Sequence, residues 1–326
     1  MNNIFNFAAG ELSQDSFICW LINWINYKEV DEQLYLKAKK ILDIILHEKR
    51  ISEYKNVAVY KDYYDMNIVV VVNDKYVIVI EDKAFEIQSD ENIVKCKKQI
   101  ISNNYKNIPL DIKKEEIICV YCKAIEEINE DKHADLVIHR KDILELLKDT
   151  EGKIHNDIYK DYANYFIGLD EEINEYKYLG IHEWNDKCYM GFFNYLSDYI
   201  IKNVVGWRYV SETSGNYWAL WWYHQGAKLK ATKFSRSIDN IYLQIENNTI
   251  AVKITHGVKY NNEIWWYINK FYRDRCKEKG FKFNKKSFRT GNYMTVGYIE
   301  YDEKNYEEAI RIMEQIMDQF MNKIED

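Results

Sequence analysis

Two runs of β-branched and aromatic residues, Ile68-Val69-Val70-Val71-Val72 and Tyr76-Val77-Ile78-Val79-Ile80, constrain this chain more than any other feature. Residues of this kind favour strands, and apolar side chains at adjacent positions imply burial on both faces. Charge stands at the outer ends of the pair. Asp65 leads into the first run, and Glu81-Asp82-Lys83 closes the second. Charged groups at the ends of buried strands are costly to desolvate unless they hold a cation or each other.

The surrounding pattern extends this pair into a layered domain. Phe17, Trp20, Leu21, Trp24 and Ile25 recur at helical spacing within 11–27, and a second helix is expected over 31–49. Three strands follow, over 56–61, 65–72 and 76–83. Ser89 or Asp90 can cap a helix reaching about 104. Strands over 116–121 and 135–139 and a helix over 141–148 complete the half. A meander joined through a crossover helix predicts a mixed α/β sheet flanked by helices.

Register decides whether the charges converge. Side chains on one strand face recur every second residue, so Glu81 and Lys83 share a face. Asp65 joins them only if paired positions add to an even number, as in Asp65 opposite Lys83. That requires an odd-numbered turn near Asn73-Asp74-Lys75, and a turn of three or five residues is predicted. A two-residue turn would set Asp65 beside Asp82 instead. Asp62 lies on the wrong parity and is the lesser rival of Asp65.

Converged in this way, the residues suit Mg²⁺, with Mn²⁺ as substitute. A hard cation held by one or two carboxylates keeps positions open for water and phosphate. Asp65 and Glu81 are the expected ligands, and the backbone carbonyl of Asp82 is a candidate third oxygen. Lys83 can orient the attacking water, lower its pKa or offset charge on the phosphorane.

These residues resemble the PD-(D/E)XK nuclease superfamily, whose signature is an acid on the second core strand followed by (D/E)-x-K on the third. Here that is Asp65 and Glu81-Asp82-Lys83, in a helix and strand order similar to the family's α-β-β-β-α-β core. Tyr64 stands where the signature's proline would be. The segment Glu11-Leu12-Ser13-Gln14-Asp15-Ser16-Phe17 looks like the opening helix of a bacterial branch of the family. The resemblance covers roughly 5–150. It implies Glu11 as a helix-borne acid completing the metal shell, with Asp15 the lesser alternative, and Gln99 as a helix glutamine facing the site. It also implies an endonuclease hydrolysing phosphodiesters, DNA before RNA, in restriction, repair or phage defence.

After Leu169 the chain turns acidic, and a domain boundary is expected near 178. Residues 1–178 form the nuclease-like domain. Residues 179–326 read as a separate α+β domain: a helix over 191–203, strands over 217–224, 227–234, 240–246 and 250–255, a helix over 263–278, a strand over 293–301 and a closing helix over 306–324. Asn247-Asn248 is a hairpin signal. Between Lys259 and Arg289, cations (Lys270, Arg273, Arg275, Lys277, Lys279, Lys282, Lys285 and Lys286 among them) interleave with Tyr260, Trp265, Trp266, Phe271, Tyr272 and Phe281. That mixture suits phosphate contacts and base stacking, and it equally suits a solvated helix whose aromatics face a core. Trp218, Trp221, Trp222 and Tyr223 are expected in a core. A small-effector pocket or a dimer face there stays open, and with it a homo-oligomer.

Composition narrows the field further. The chain has 326 residues, 47% hydrophobic and 30% charged, which favours packed cores. No apolar run approaches the roughly 20 residues of a membrane helix, and the start lacks signal-peptide regions, so a cytoplasmic protein without a membrane partner is expected. The six cysteines are expected as free thiols. Cys119 and Cys122 should point to opposite faces of one strand, and no second pair completes a zinc site. His139, His224 and His256 have no ligand spacing around them. No Gly-rich phosphate loop is present, which argues against an ATPase. The net charge of −7 leaves nucleic-acid binding to local patches, and a non-catalytic nucleic-acid-binding or ligand-sensing protein is the alternative reading.

Overall fold

The computed structural model describes residues 3–7, 11–82, 91–102, 105–106, 108–109, 111–125, 134–149, 152–212, 215–229, 238–256, 262–285 and 293–325. The chain divides into two compact units, Met1–Glu171 and Glu172–Asp326, a few residues before the boundary expected near 178. It is mixed α/β, with a mixed five-stranded sheet in the first unit and an antiparallel six-stranded sheet in the second.

The first sheet runs β1 (Val57–Tyr63), β2 (Met66–Val72), β3 (Tyr76–Asp82), β4 (Ile117–Cys122) and β5 (Leu136–Ile138) in spatial order. β1 to β3 form an antiparallel meander, and β4 and β5 lie parallel to β3. The predicted odd turn is present. Val72 faces Tyr76 and Ile68 faces Ile80, so three residues make the connection and paired positions add to an even number. Asn73 and Asp74 take φ of 54°, where asparagine and aspartate are better tolerated than most side chains.

Both faces of this sheet are covered, as the continuous apolar runs require. Val77, Val79, Ile117, Cys119 and Tyr121 pack on one face with Cys96 and Ile100 of α3 (Glu91–Ser102). On the other face Ile80, Cys122 and Ile138 meet Phe17 and Leu21 of α1 (Glu11–Asn23), and Ile41 of α2 (Glu32–Ile45). Asp31 caps α2, its Oδ1 accepting from the amides of Gln33 and Leu34 at 3.0 Å. α4 spans Arg140–Leu147. A helix that the sequence analysis did not assign, α5 (Asp157–Asn174), buries Tyr159, Tyr162 and Phe166. The Tyr162 ring stacks on Phe17 at 3.6 Å between centroids.

In the second unit the helix α6 (Asp186–Tyr195) precedes the strands β6 (Val204–Glu212), β7 (Gly215–Trp222), β8 (Ile238–Glu246), β9 (Thr249–His256), β10 (Asn284–Lys285) and β11 (Tyr293–Glu300). The sheet order is β10-β11-β9-β8-β7-β6. The strand expected over 227–234 is corrected where described: Gly226–Leu229 is a short helix, α7, because Ala227, Lys228 and Leu229 are all strong helix formers. β6 was not assigned from sequence. The Asn247-Asn248 hairpin is present, with Glu246 facing Thr249. Trp222 and Trp218 are buried, and the Trp222 indole donates to Glu314 on α9 (Tyr306–Glu325) at 2.8 Å. α8 (Asn262–Glu278) turns Trp265, Ile268, Tyr272 and Cys276 inward. Among the described residues no helix is long and apolar enough to cross a membrane.

Candidate active site

β3, β4 and β5 are parallel, so their carboxyl ends lie at one edge of the sheet. That edge is where ligands bind in open α/β sheets. Glu81 stands there, only 6% exposed. Its register partner on β4 is Tyr121, and the Cys96 thiol of α3 donates to Glu81 Oε1 at 3.9 Å. Burial pushes the Cys96 thiol up to about 12, with the Glu81 carboxylate the next cause and Asp65 a smaller one. Asp65 is therefore close enough for its field to reach the thiol that touches Glu81.

Asp65 is not the strand residue that its sequence position suggested. Tyr63 faces Met66 across the β1–β2 hairpin, so Tyr64 and Asp65 form a two-residue turn, with φ of 50° and 66°. Both central residues have positive φ, as in a type I′ turn, the connection whose twist matches the strands it joins. Asp65 is consequently exposed, its carboxylate turned to water at the sheet edge. Asp62 is also left-handed, with φ of 52°, and its carboxylate pairs with Lys61 at 2.9 Å.

Asp82 shares a peptide bond with Glu81 and serves the opposite face. Its side chain, 3% exposed, accepts from Gln14 Nε2 of α1 at 2.7 Å. Asp15 is buried near it. The fields of both aspartates add to the burial that holds the Cys122 thiol and the Tyr162 phenol well above their usual ranges. Cys119 and Cys122 are free and serve opposite faces of β4. Burial drives Cys119 up to about 12, which leaves it a structural thiol.

Glu11 opens α1, whose first turn also carries Gln14. The side chain of Glu11, and all of Lys83, lie outside the described residues. Gln99 is half-buried on α3, and its backbone carbonyl accepts from Ser102 Oγ at 3.4 Å. Among the described residues no group of three His, Cys, Asp or Glu side chains is placed to hold a metal ion.

Sequence reasoning missed Lys123. It lies two positions past Tyr121 and so on the face of Glu81, is 2% exposed, and sets its ammonium 5.8 Å from the Tyr121 ring centroid. Its signal was present: Ile117-Ile118-Cys119-Val120-Tyr121 is another apolar run with a lysine just beyond its end. Gln14 carried no comparable signal, because its partner is 68 positions away.

In the second unit, Lys270, Arg273, Arg275 and Lys277 of α8 are exposed, as are Trp266 and Tyr267. Trp265, Phe271 and Tyr272 of the same helix are buried. Lys259, Tyr260, Lys286 and Arg289 lie outside the described residues, as does the Lys285 side chain. No family model, curated protein or solved structure matches the chain.

Proposed function

We propose that the first unit is a Mg²⁺-dependent nuclease acting on phosphodiesters, with a PD-(D/E)XK-type core. The observation that carries this reading is the even β2–β3 register, which turns Glu81 to the α3 face while Asp65 sits at the same sheet edge. The meander with a parallel fourth strand supports it too, being the order expected of that core. Glu81 and Asp65 fit a hard divalent cation: one carboxylate is held on the sheet and the other stands open to solvent and substrate. Glu11 is the third candidate ligand. When bound, Mg²⁺ supplies charge neutralisation at the phosphate and a more acidic water.

The chain's own residues do the remainder. Burial of Glu81, with Tyr121 beside it on β4 and the Cys96 thiol on its Oε1, fixes its carboxylate and lowers the local dielectric, so each charge acts more strongly there than in water. Lys83 orients the attacking water, and Lys123 adds positive charge from the neighbouring strand. The Gln14–Asp82 bond ties the start of α1, and with it Glu11, to the end of β3. Gln99 is assigned to the substrate side of α3.

A cutting assay on supercoiled plasmid and on single-stranded circular DNA in Mg²⁺ or Mn²⁺ tests this with wild type, Glu81→Ala and Lys83→Ala. Each substitution is expected to reduce cutting roughly a hundredfold or more, since losing even an outer partner of a metal ligand costs up to that. Equal cutting by all three would remove the assignment. The alternative is a nucleic-acid-binding or ligand-sensing protein without cleavage. Salt-dependent binding with no metal-dependent cutting would select it.

A further inference from the structure

Four tyrosines gather beside Asp65. Tyr60 and Tyr63 on β1 lie 5.1 Å apart between ring centroids, Tyr63 meets Tyr64 edge-on at 4.7 Å, and Tyr64 lies over Tyr105 at 4.5 Å and 34°. Tyr60, Tyr63 and Tyr105 are half-buried against the core that also holds Cys96 and Tyr121. Tyr63 is further fixed by donating its hydroxyl proton to the Lys106 carbonyl. Tyr64 stands on this base 54% exposed.

The turn that presents Tyr64 is an unfavourable one for these residues. Asp62, Tyr64 and Asp65 all have left-handed backbones, and no glycine or asparagine lies among residues 62–65. An aromatic residue in that region is an outlier that persists only where surrounding structure holds it. An Asn-Gly turn would join the same strands at less cost. The cost is borne where an aromatic ring and a carboxylate are set side by side at the sheet edge.

We propose that this tyrosine surface stacks the unpaired bases next to the phosphate that a cation at Asp65 and Glu81 would hold, so that the substrate is single-stranded nucleic acid. The proposal rests on the nuclease reading for its position, but its chemistry can be read separately. Exposed aromatic faces bind bases of any sequence and need them unstacked from their neighbours. Duplex bases offer no such face. Lys106, exposed and next to Tyr105 in the chain, supplies a cation for the backbone that runs past the rings.

Binding measured in EDTA, without cleavage, tests the stacking. The probe is a single-stranded DNA oligonucleotide carrying 2-aminopurine, whose fluorescence is quenched on stacking, compared with its duplex. Wild type is expected to bind the single strand more tightly and to quench it. Tyr64→Asn, which suits the left-handed backbone and should keep the fold intact by thermal melting, is expected to bind about tenfold more weakly and lose quenching. Tyr64→Phe keeps the ring and is expected to stay within about twofold. Preference for duplex, unchanged binding by Tyr64→Asn, or equal losses in the Asn and Phe variants would each overturn the proposal. Cutting of single-stranded circular DNA in Mg²⁺ by wild type and Glu81→Ala separates the two ideas. Cutting lost in Glu81→Ala with binding unaffected in Tyr64→Asn leaves the nuclease and removes the platform. Stacking without any cutting does the reverse.

Discussion

Adjacent carboxylates can have different work because a strand alternates. Glu81 faces α3 and Asp82 faces α1, so a substitution at either should be felt on one side of the sheet only. Cys96 offers a readout of this that does not depend on activity. Its thiol is pushed up to about 12 from an ordinary 9.0, first by burial and next by the Glu81 carboxylate. Glu81→Gln removes the negative charge and keeps the shape. The thiolate then becomes less unfavourable, and ionisation of Cys96, read as loss of its S–H infrared band across pH against a Cys96→Ser control, should shift to lower pH. The shift should stop short of the ordinary value, because burial remains. An unchanged profile would show that Glu81 does not stand beside Cys96, and the site would lose its anchor.

At the scale of elements, the three-residue β2–β3 turn decides which side chains of the two strands share a face, and Asn73 holds it. The Asn73 side-chain Oδ1 accepts from the Lys55 amide at 2.8 Å, its Nδ2 donates to the Glu53 carbonyl at 2.9 Å, and its backbone φ is 54°. Asn73→Ala loses both bonds and places a Cβ residue less suited to that region, for an expected loss of about 2 kcal/mol in urea unfolding. Asn73→Gly keeps the backbone conformation and should lose about half as much. Equal losses would mean that the bonds alone matter. The turn length and β1 to β3 were legible because β-branched runs and their spacing report strands and register directly. The Tyr64-Asp65 turn was not, since a tyrosine does not signal a left-handed backbone and no asparagine or glycine stands beside it. α5 escaped because Tyr159, Tyr162 and Phe166 are indifferent helix formers and Gly168 follows soon after them, although their spacing is helical. β6 escaped because Gly206 reads as a turn in the middle of its run. Glu81 could be placed on a face from parity, whereas Lys123 and Gln14 reach the site from elements far along the chain.

Over the whole molecule, a net charge of −7 sets the terms on which a polyanion can bind. Attraction has to come from local surfaces, and α8 presents one in the second unit. Arg273 and Arg275 are engaged along the helix, with Asp274 at 3.8 Å and Glu278 at 2.8 Å, while among the described residues no ion pair holds Lys270 or Lys277. These two lysines are therefore the groups that a phosphate backbone would meet at least cost. If α8 contacts nucleic acid, Lys270→Gln with Lys277→Gln should make the plot of log affinity against log salt shallower, by about 0.9 per lost contact on duplex DNA and about 0.7 on a single strand. The size of the change thus counts the phosphate contacts that the two lysines make, independently of any cleavage. Binding titrations between 50 and 200 mM salt, roughly the range over which such contacts lose most of their strength, give both slopes. An unchanged slope would make α8 a solvated face over a packed aromatic core. Any affinity for polyanions would then have to come from elsewhere in an otherwise acidic chain.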